Sequence, residues 1–499
     1  QVPKTVIEGV ISLKCPGVPP LQSCQLTPLG LTVQLQRPAA FQQVLSSIAE
    51  FTKPSQSASG QNIILSCSPL QNRRSLDTLS LSSLRAILVA DHLAEVLRIQ
   101  GMNVHLVPAV LDEGLQPFLH QLRVAWPSEV DAAFITEDVL TLKQVLSQCP
   151  YATVPGLEPG QTRLADDVIF KVHLKNFLAQ QSLEGYDPNL DVCLVTEEKV
   201  RLLAELRHVA LRCTVSNPAR GCPACRGTGP GSCCRVVHVV SCEGEFQQQQ
   251  VDLLWRMLDV GAHTALQKHL VCGPVKAANS PCPVGAPQYF QLRRCQMYDA
   301  SVVKYGDLVQ DDSWTEIIGV LTSAAIRFEM LSTAPHSQPP SAKAGAERAG
   351  AEPKGPSMSQ PGLSRLCAAS GVTGSTLIPG AYPASPPASE LNFSLLRDEG
   401  EWLLLFNYIL PFPETLSHQA QLPLSGPGPR ITASTEAVRP GRLPRACPPS
   451  SLQPWPHVAE EPLPHLFSQM FARLQLLRGL RDVIHRALAT LPQPGGRAG

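Results

Sequence analysis

Leu84-Arg85-Ala86-Ile87-Leu88-Val89-Ala90-Asp91-His92-Leu93-Ala94-Glu95-Val96-Leu97-Arg98-Ile99-Gln100-Gly101-Met102-Asn103-Val104-His105-Leu106-Val107 reads as helix, stop and strand in one pass. Leu84, Ile87, Leu88, Ala94 and Leu97 recur at helical spacing, and Gly101 falls where a C-terminal cap ends such a run. Val104 to Val107 then reads as a strand. Helix, glycine and strand in this order are the rhythm of a doubly wound α/β sheet. The rhythm returns at Val236-Val237-His238-Val239-Val240, a β-branched run suited to a parallel strand buried on both faces. A helix pattern over 247–258 follows, carrying Val251, Leu254, Trp255 and Leu258, and then a strand-like Leu270-Val271-Cys272.

Outward from this core, Ile317, Ile318, Val320, Leu321, Ala324, Ala325, Phe328 and Leu331 predict an amphipathic helix over 314–331. Residues 334–389 are dominated by Ala, Pro, Ser and Gly without periodicity. Such a stretch buries too little surface to offset its chain entropy and predicts a disordered linker. Order is expected again over 391–410, around Glu401-Trp402-Leu403-Leu404-Leu405-Phe406, while 422–462 is Pro-rich and irregular. Near the N-terminus, Leu31-Thr32-Val33-Gln34-Leu35 alternates like a strand and Phe41-Gln42-Gln43-Val44-Leu45 follows with a helical pattern. The expected partition is a small α+β domain at 1–70, an α/β core with its stem helix at 71–333, the linker at 334–389 and a helical domain at 390–499.

Composition limits the function classes. A chain of 499 residues suggests about three folded units, and 43% hydrophobic residues are enough for real cores. Lys+Arg and Asp+Glu are both 41, which argues against a wholly cationic nucleic-acid binder while leaving a local basic face open. The 47 prolines and 34 glycines require that part of the length be linker. No apolar run is long enough to span a membrane. The chain begins at Gln1, so its true start is expected to lie upstream.

The sixteen cysteines are scattered. Some sit within apolar runs, as in Asp191-Val192-Cys193-Leu194-Val195, where cysteine acts as a small hydrophobe, and reduced thiols in a cytoplasmic protein are the expectation. Cys222-Pro223-Ala224-Cys225 with Cys233-Cys234 has a faint zinc-site spacing. The adjacent pair and the Gly/Pro-rich setting favour an irregular insertion instead. Asp166-Asp167 reads as an acidic helix start rather than a metal site. The Gln247 to Gln250 run reads as a helix surface. There is no Walker loop, GxGxxG turn or HExxH helix. No cofactor and no metal are expected.

The last helix is predicted over about 466–491, with Leu466, Phe467, Met470, Phe471, Leu474, Leu477, Leu480, Ile484, Leu488 and Leu491 spaced by threes and fours. Its other face carries Arg473, Arg478, Arg481 and Arg486 against Asp482 alone. Guanidinium groups so placed can bond phosphate oxygens. A solvated face on a packing helix is the competing reading.

Three stretches resemble one family, in order along the chain. Ala472-Arg473-Leu474-Gln475-Leu476-Leu477-Arg478-Gly479-Leu480-Arg481-Asp482-Val483-Ile484 resembles the final helix of the DALR anticodon-binding domain of arginyl-tRNA synthetases. Ile317 to Ser332 resembles the helix ahead of that domain. Leu84 to Asp91, continuing to Arg98 and Gly101, resembles the helix behind the first nucleotide signature of the same enzymes. Tyr186 to Asp191, Val236 to Glu245 and Asp398-Glu399-Gly400-Glu401-Trp402 look like a non-catalytic relative. The resemblance implies a degenerate class I synthetase-like, doubly wound α/β core. With it go a small N-terminal α+β domain, a disordered linker and a C-terminal α-helical DALR anticodon-binding-like bundle. The bundle is expected to be incomplete, because Val438-Arg439-Pro440-Gly441-Arg442-Leu443-Pro444 replaces a helix beginning at Thr435-Glu436.

The family's enzymes carry a His-x-Gly-His signature whose imidazoles stabilise the ATP phosphates. The resemblance places Ser80, Leu81, Ser82 and Ser83 there. A Lys-Met-Ser loop is also missing, with only Lys276 near Gly273-Pro274-Val275. Losing such groups typically costs ~10²–10³ in rate for each one, so no aminoacylation is expected. The resemblance implies a tRNA-binding adaptor that recognises arginine tRNAs through Arg473, Arg478, Arg481 and Arg486. It also implies a partner methyltransferase that makes 3-methylcytidine. The alternatives are a residual arginyl-tRNA ligase and a protein–protein scaffold.

Overall fold

The computed structural model describes residues 3–11, 19–28, 30–53, 61–71, 76–129, 132–153, 167–215, 234–258, 267–278, 284–306, 309, 312–339, 342–343, 386–419, 421–424, 428–434 and 464–489. The elements used below are, in chain order, α1 (Lys4–Ile11), β1 (Leu21–Thr27), β2 (Gly30–Leu35), α2 (Arg37–Ser46), β3 (Asn62–Cys67), α3 (Leu81–Ile99) and β4 (Asn103–Val107). They continue with β5 (Ala152–Thr153), β6 (Val168–His173), β7 (Val192–Thr196), α4 (Glu197–Val215), β8 (Cys234–Ser241), α5 (Glu245–Leu258) and β9 (Gln267–Cys272). The last are α6 (Asp312–Leu331), α7 (Glu399–Leu404), β10 (Arg430–Ile431) and α8 (Phe467–Ala489). They fall into two compact units. A terminal unit draws on residues before 56, on 386–417 and on 464–489, and a core unit holds the described residues between 61 and 343 together with 418–434.

The core unit is built on a five-stranded sheet of order β10-β9-β8-β3-β4, every neighbouring pair parallel. The expected doubly wound sheet is therefore present, and β4 and β8 are joined through β3. The Asn62–Cys67 strand is buried along its whole length, so the sequence assigned to a separate domain at 1–70 divides: this strand is the sheet's centre. Val236, Val237, Val239 and Val240 have no exposed surface, as a parallel strand covered on both faces requires. Helix α3 starts on Ser80, whose hydroxyl accepts the Ser83 amide at 3.1 Å, and its chain turns away through Gly101 at φ +79°. It is buried nearly all round, which is the pattern of a central helix.

Three sequence expectations change here. Val168–His173, expected as a helix behind an acidic start, is instead strand β6 of an antiparallel sheet β5-β6-β7. Its alternating burial (Phe170 and Val172 inward) has the period of a strand. Arg430–Ile431, within the stretch read as irregular, pairs with His269 and Leu270 and closes one edge of the core sheet. The glutamines of α5 are not a helix surface: Gln248, Gln249 and Gln250 are buried. Each has a polar partner, since Gln248 Oε1 accepts from Gln71 (2.9 Å), Gln249 Oε1 from the Asp187 amide (2.8 Å) and Gln250 Oε1 from Lys199 Nζ (3.0 Å). Satisfied amides can be buried at little net cost. Cys193 is buried, and the eight cysteines whose side chains are described are free thiols. The cluster from Cys222 to Cys233 and most of the 334–389 and 435–463 stretches lie outside the described residues. Among the described residues no helix is long and apolar enough to cross a membrane.

In the terminal unit the two ends of the chain share one core. Ala40, Phe41, Val44 and Leu45 of α2 pack with Leu391, Phe393, Trp402, Leu405, Ile409, Phe471, Ala472, Leu476 and Leu480. The antiparallel hairpin β1–β2 and helix α1 precede them. The packing thus groups the chain differently from the partition drawn from composition.

His238, with no exposed surface, sits in the core between two amides. Its Nδ1 accepts from Gln248 Nε2 (3.0 Å) and its Nε2 donates to Gln267 Oε1 (2.9 Å), which fixes a neutral ring. Burial, aided by the neighbouring His269, pulls its pKa from 6.5 down to about 4. The unfolded chain binds this proton more readily, so stability is lost as pH falls from about 6.5 to about 4, by roughly 3 kcal/mol. Urea unfolding across that range should show the loss, and His238→Gln should flatten it.

Candidate nucleotide crevice and arginine helix

A doubly wound sheet binds ligands beyond the carboxyl ends of its strands, at the point where strand order reverses. Here that point lies between β3 and β8. It faces the start of α3, where Ser80 is the cap and Leu81, Ser82 and Ser83 form the buried first turn. Ser80 Oγ donates to Glu243 Oε2 at 3.1 Å, so a carboxylate of the chain stands beside the helix start, where an incoming phosphate would meet like charge. Ser82 Oγ accepts the Val275 amide at 3.2 Å and is turned toward the protein.

One turn further along α3 the guanidinium of Arg85, 0% exposed, is saturated by the chain that leaves α6. It donates to the carbonyls of Met330 (3.1 Å), Gly273 (3.2 Å), Ser337 (2.5 Å) and Ala334 (3.0 Å), and to the Thr333 hydroxyl (3.0 Å). The strap of residues 333–337 thereby lies across the end of β9. The Gly273 amide donates to Pro335 at 2.8 Å, and a Cβ at Gly273 would stand 2.7 Å from the His336 carbonyl. Only glycine permits that approach. The start of the predicted linker is thus tied down, because buried carbonyl dipoles compensate a buried cation. Among the described residues, burial works against the thiolate at these strand ends: it pushes the Cys67 thiol up, Cys272 up to about 12, and raises Cys242. Among the described residues no group of three or more His, Cys, Asp or Glu side chains is placed to hold a metal.

In the terminal unit, Leu474, Leu477 and Leu480 of α8 are buried, as their spacing predicts, while the side chain of Ile484 lies outside the described residues. Arg473, Arg478, Arg481 and Arg486 are all half-buried. They are not equivalent. Arg473 Nε donates to Glu401 Oε1 at 2.6 Å, and Glu401 is 3% exposed and also accepts the Asp398 amide at 3.0 Å in the capping box of α7. Arg473 therefore compensates a buried carboxylate. Arg481 bonds its neighbour Asp482 at 3.0 Å, a pair more than a third exposed on both sides and energetically slight. Arg478 and Arg486 stand on the same helix.

Comparison with known proteins identifies the chain. It is 44% identical over 497 residues to the DALR anticodon-binding domain-containing protein 3 of Mus musculus, covering 99% of this chain and 89% of that one. It is 38% identical over 515 residues to the protein of the same name from Danio rerio, covering 99% and 87%. The chain belongs to this DALR family. The model of the DALR N-terminal domain matches residues 1–51, the stretch that carries α1, the β1–β2 hairpin and α2. Two solved structures share the fold, both at a TM-score of 0.57. Thermus thermophilus arginyl-tRNA synthetase has 14% identity over 98% of this chain and 91% of its own. Arginyl-tRNA synthetase from Plasmodium falciparum has 12% identity over 98% and 87%.

In this DALR-family chain Ser80, Leu81, Ser82 and Ser83, the positions that the family resemblance aligns with an ATP signature, begin α3 beside Glu243. The sequence did not show the strap. Arg85 lay within the quoted helix, and a guanidinium on the inward side of an apolar run is the signal that would have exposed it. Arg85→Met should leave those carbonyls without donors and cost roughly 3 kcal/mol. Hydrogen exchange at Gly273 should accelerate with it; unchanged exchange there would mean that the strap is held by other contacts.

Proposed function

We propose that the chain is a non-catalytic tRNA-binding adaptor. The supporting observation is 44% identity over 99% of this chain to a protein whose name carries an anticodon-binding domain, joined to the arginine-bearing helix Phe467–Ala489. In this reading Arg478, Arg481 and Arg486 contact phosphates, and Arg473 chiefly keeps the helix in place. Arginine tRNAs are the proposed cargo and a methyltransferase forming 3-methylcytidine the proposed partner, in the cytoplasm. Both follow from the family resemblance rather than from any feature of the surface.

The enzyme alternative separates cleanly. Arginine-dependent ATP–pyrophosphate exchange with tRNA present should stay at background, and activity above it would restore the ligase reading. For the adaptor, the double variant Arg478→Ala/Arg481→Ala should weaken binding to all tRNAs alike. It should also flatten the dependence of log K on log salt by up to ~0.9 per lost phosphate contact. Preference for arginine tRNAs should survive, because phosphate contacts position without reading sequence. Unchanged affinity and slope would reduce these arginines to a solvated face and favour the scaffold.

A further inference from the structure

The terminal unit contains a pocket of about 730 Å³, a volume suited to a small ligand, lined by Gln22 of β1, Gln34 and Gln36, Arg37 at the start of α2, and Trp402 and Phe406. Its wall is a ladder of π faces. Arg37 Cζ stands 5.1 Å from the Trp402 ring centroid, and Phe406 stacks on Trp402 at 5.6 Å with the planes 25° apart. Phe41 braces Trp402 edge-on at 5.8 Å. Trp402 is 8% exposed and so is a fixed base for the ladder, whereas Phe406 is 45% exposed.

The backbone places Phe406 deliberately. Leu405–Ile409 forms a π-helical turn, its Leu410 amide bonding to Leu405 at 2.9 Å, and such a turn shifts the side chains it carries from their α-helical positions. A large aromatic left half in water contributes little to stability. Around it stand groups that suit a heteroaromatic ring. Gln34 has its oxygen engaged by Ser23 at 3.2 Å, which leaves its NH₂ to donate. Gln22 and Gln36 add exposed amides that both donate and accept. Arg37 holds Glu399 at 2.7 Å in an exposed pair, cheap to exchange for a phosphate.

From this we infer that the pocket takes one unpaired nucleobase of a bound RNA. The base stacks on Phe406 at the end of the Trp402 ladder, its edge is met by the glutamine amides, and its phosphate competes with Glu399 for Arg37. Stacking on an aromatic side chain tolerates every base, whereas the amides can bias the choice. A proline-rich peptide is the competing occupant, since PPII segments also dock on aromatic grooves. The nucleobase is favoured by the parallel ring stack, by the guanidinium over its inner ring and by three amides suited to a Watson–Crick edge. The inference rests on the tRNA-binding reading, and adds to it a contact that does not depend on charge.

The test measures tRNA affinity of the full chain across a salt series for wild type, Phe406→Ala, Phe406→Tyr and the Arg478→Ala/Arg481→Ala variant. Phe406 is exposed, so Phe406→Ala should keep the wild-type melting temperature. It should weaken binding by about 5- to 150-fold, the measured range for one stacked base. Its salt slope should match wild type, because no charge is removed, and Phe406→Tyr should restore affinity. If Phe406→Ala binds as wild type while the arginine variant is weakened, the pocket assignment falls and the adaptor reading stands. If wild type binds no tRNA but a labelled oligonucleotide of four uridines binds in a Phe406-dependent way, the pocket stands and the adaptor reading falls. Binding of a polyproline peptide dependent on Phe406, with none of either RNA, overturns both.

Discussion

A guanidinium with no exposed surface, in the second turn of the central helix, is the constraint on which the core unit turns. Arg85 cannot shed its charge, so its burial is tolerable only where oxygen dipoles converge on it. Those oxygens come from the end of α6, the end of β9 and the strap after α6. One side chain therefore fixes where the chain leaves the stem helix, and lays backbone across the region in which this sheet type ordinarily receives a ligand. Ser80, Leu81, Ser82 and Ser83, at the start of α3, carry no charge that could stabilise a phosphate. The neighbouring space is occupied by Glu243 and by the strap.

A second buried-charge problem is solved on the other side of the same sheet. Asp252, fully buried, accepts from Tyr186 at 2.8 Å and from Arg256 at 2.7 Å, and His269 lies 3.2 Å away. Burial alone would raise this carboxyl, yet these neighbours hold its pKa below the usual carboxylate value. The polar partners of α5 are arranged likewise, with His238 and Gln71 bonding Gln248 and Gln267 holding the other side of the His238 ring. Such networks rigidify when every member is satisfied. They account for a polar stripe on a helix that faces inward.

The terminal unit treats charge differently. Glu401 is buried, and it is neutralised by Arg473 from the last helix while capping α7. A residue that looks like part of a basic face thus serves the fold, while the aromatic Phe406, two residues beyond the capped helix, stands exposed. In the proposed reading, function in this unit is divided between charge on α8 and a π surface on the turn after α7.

How far sequence carries is visible in individual elements. Local patterning determined α3, α6, α8 and strands β4 and β8, because the period of apolar residues, a capping serine and a C-terminal glycine act over a few residues. That Ser80, Leu81, Ser82 and Ser83 carry no imidazole was equally legible, being a matter of residue identity. What only tertiary structure decided were the pairings between distant segments. These are the place of Asn62–Cys67 at the centre of the sheet, the docking of Arg430–Ile431 on its edge, and the shared core of α2 and α8. Tertiary structure also decided the inward turn of Gln248, Arg85 and Arg473. Burial of a polar side chain depends on whether a partner arrives from elsewhere in the chain, and no local period records that arrival.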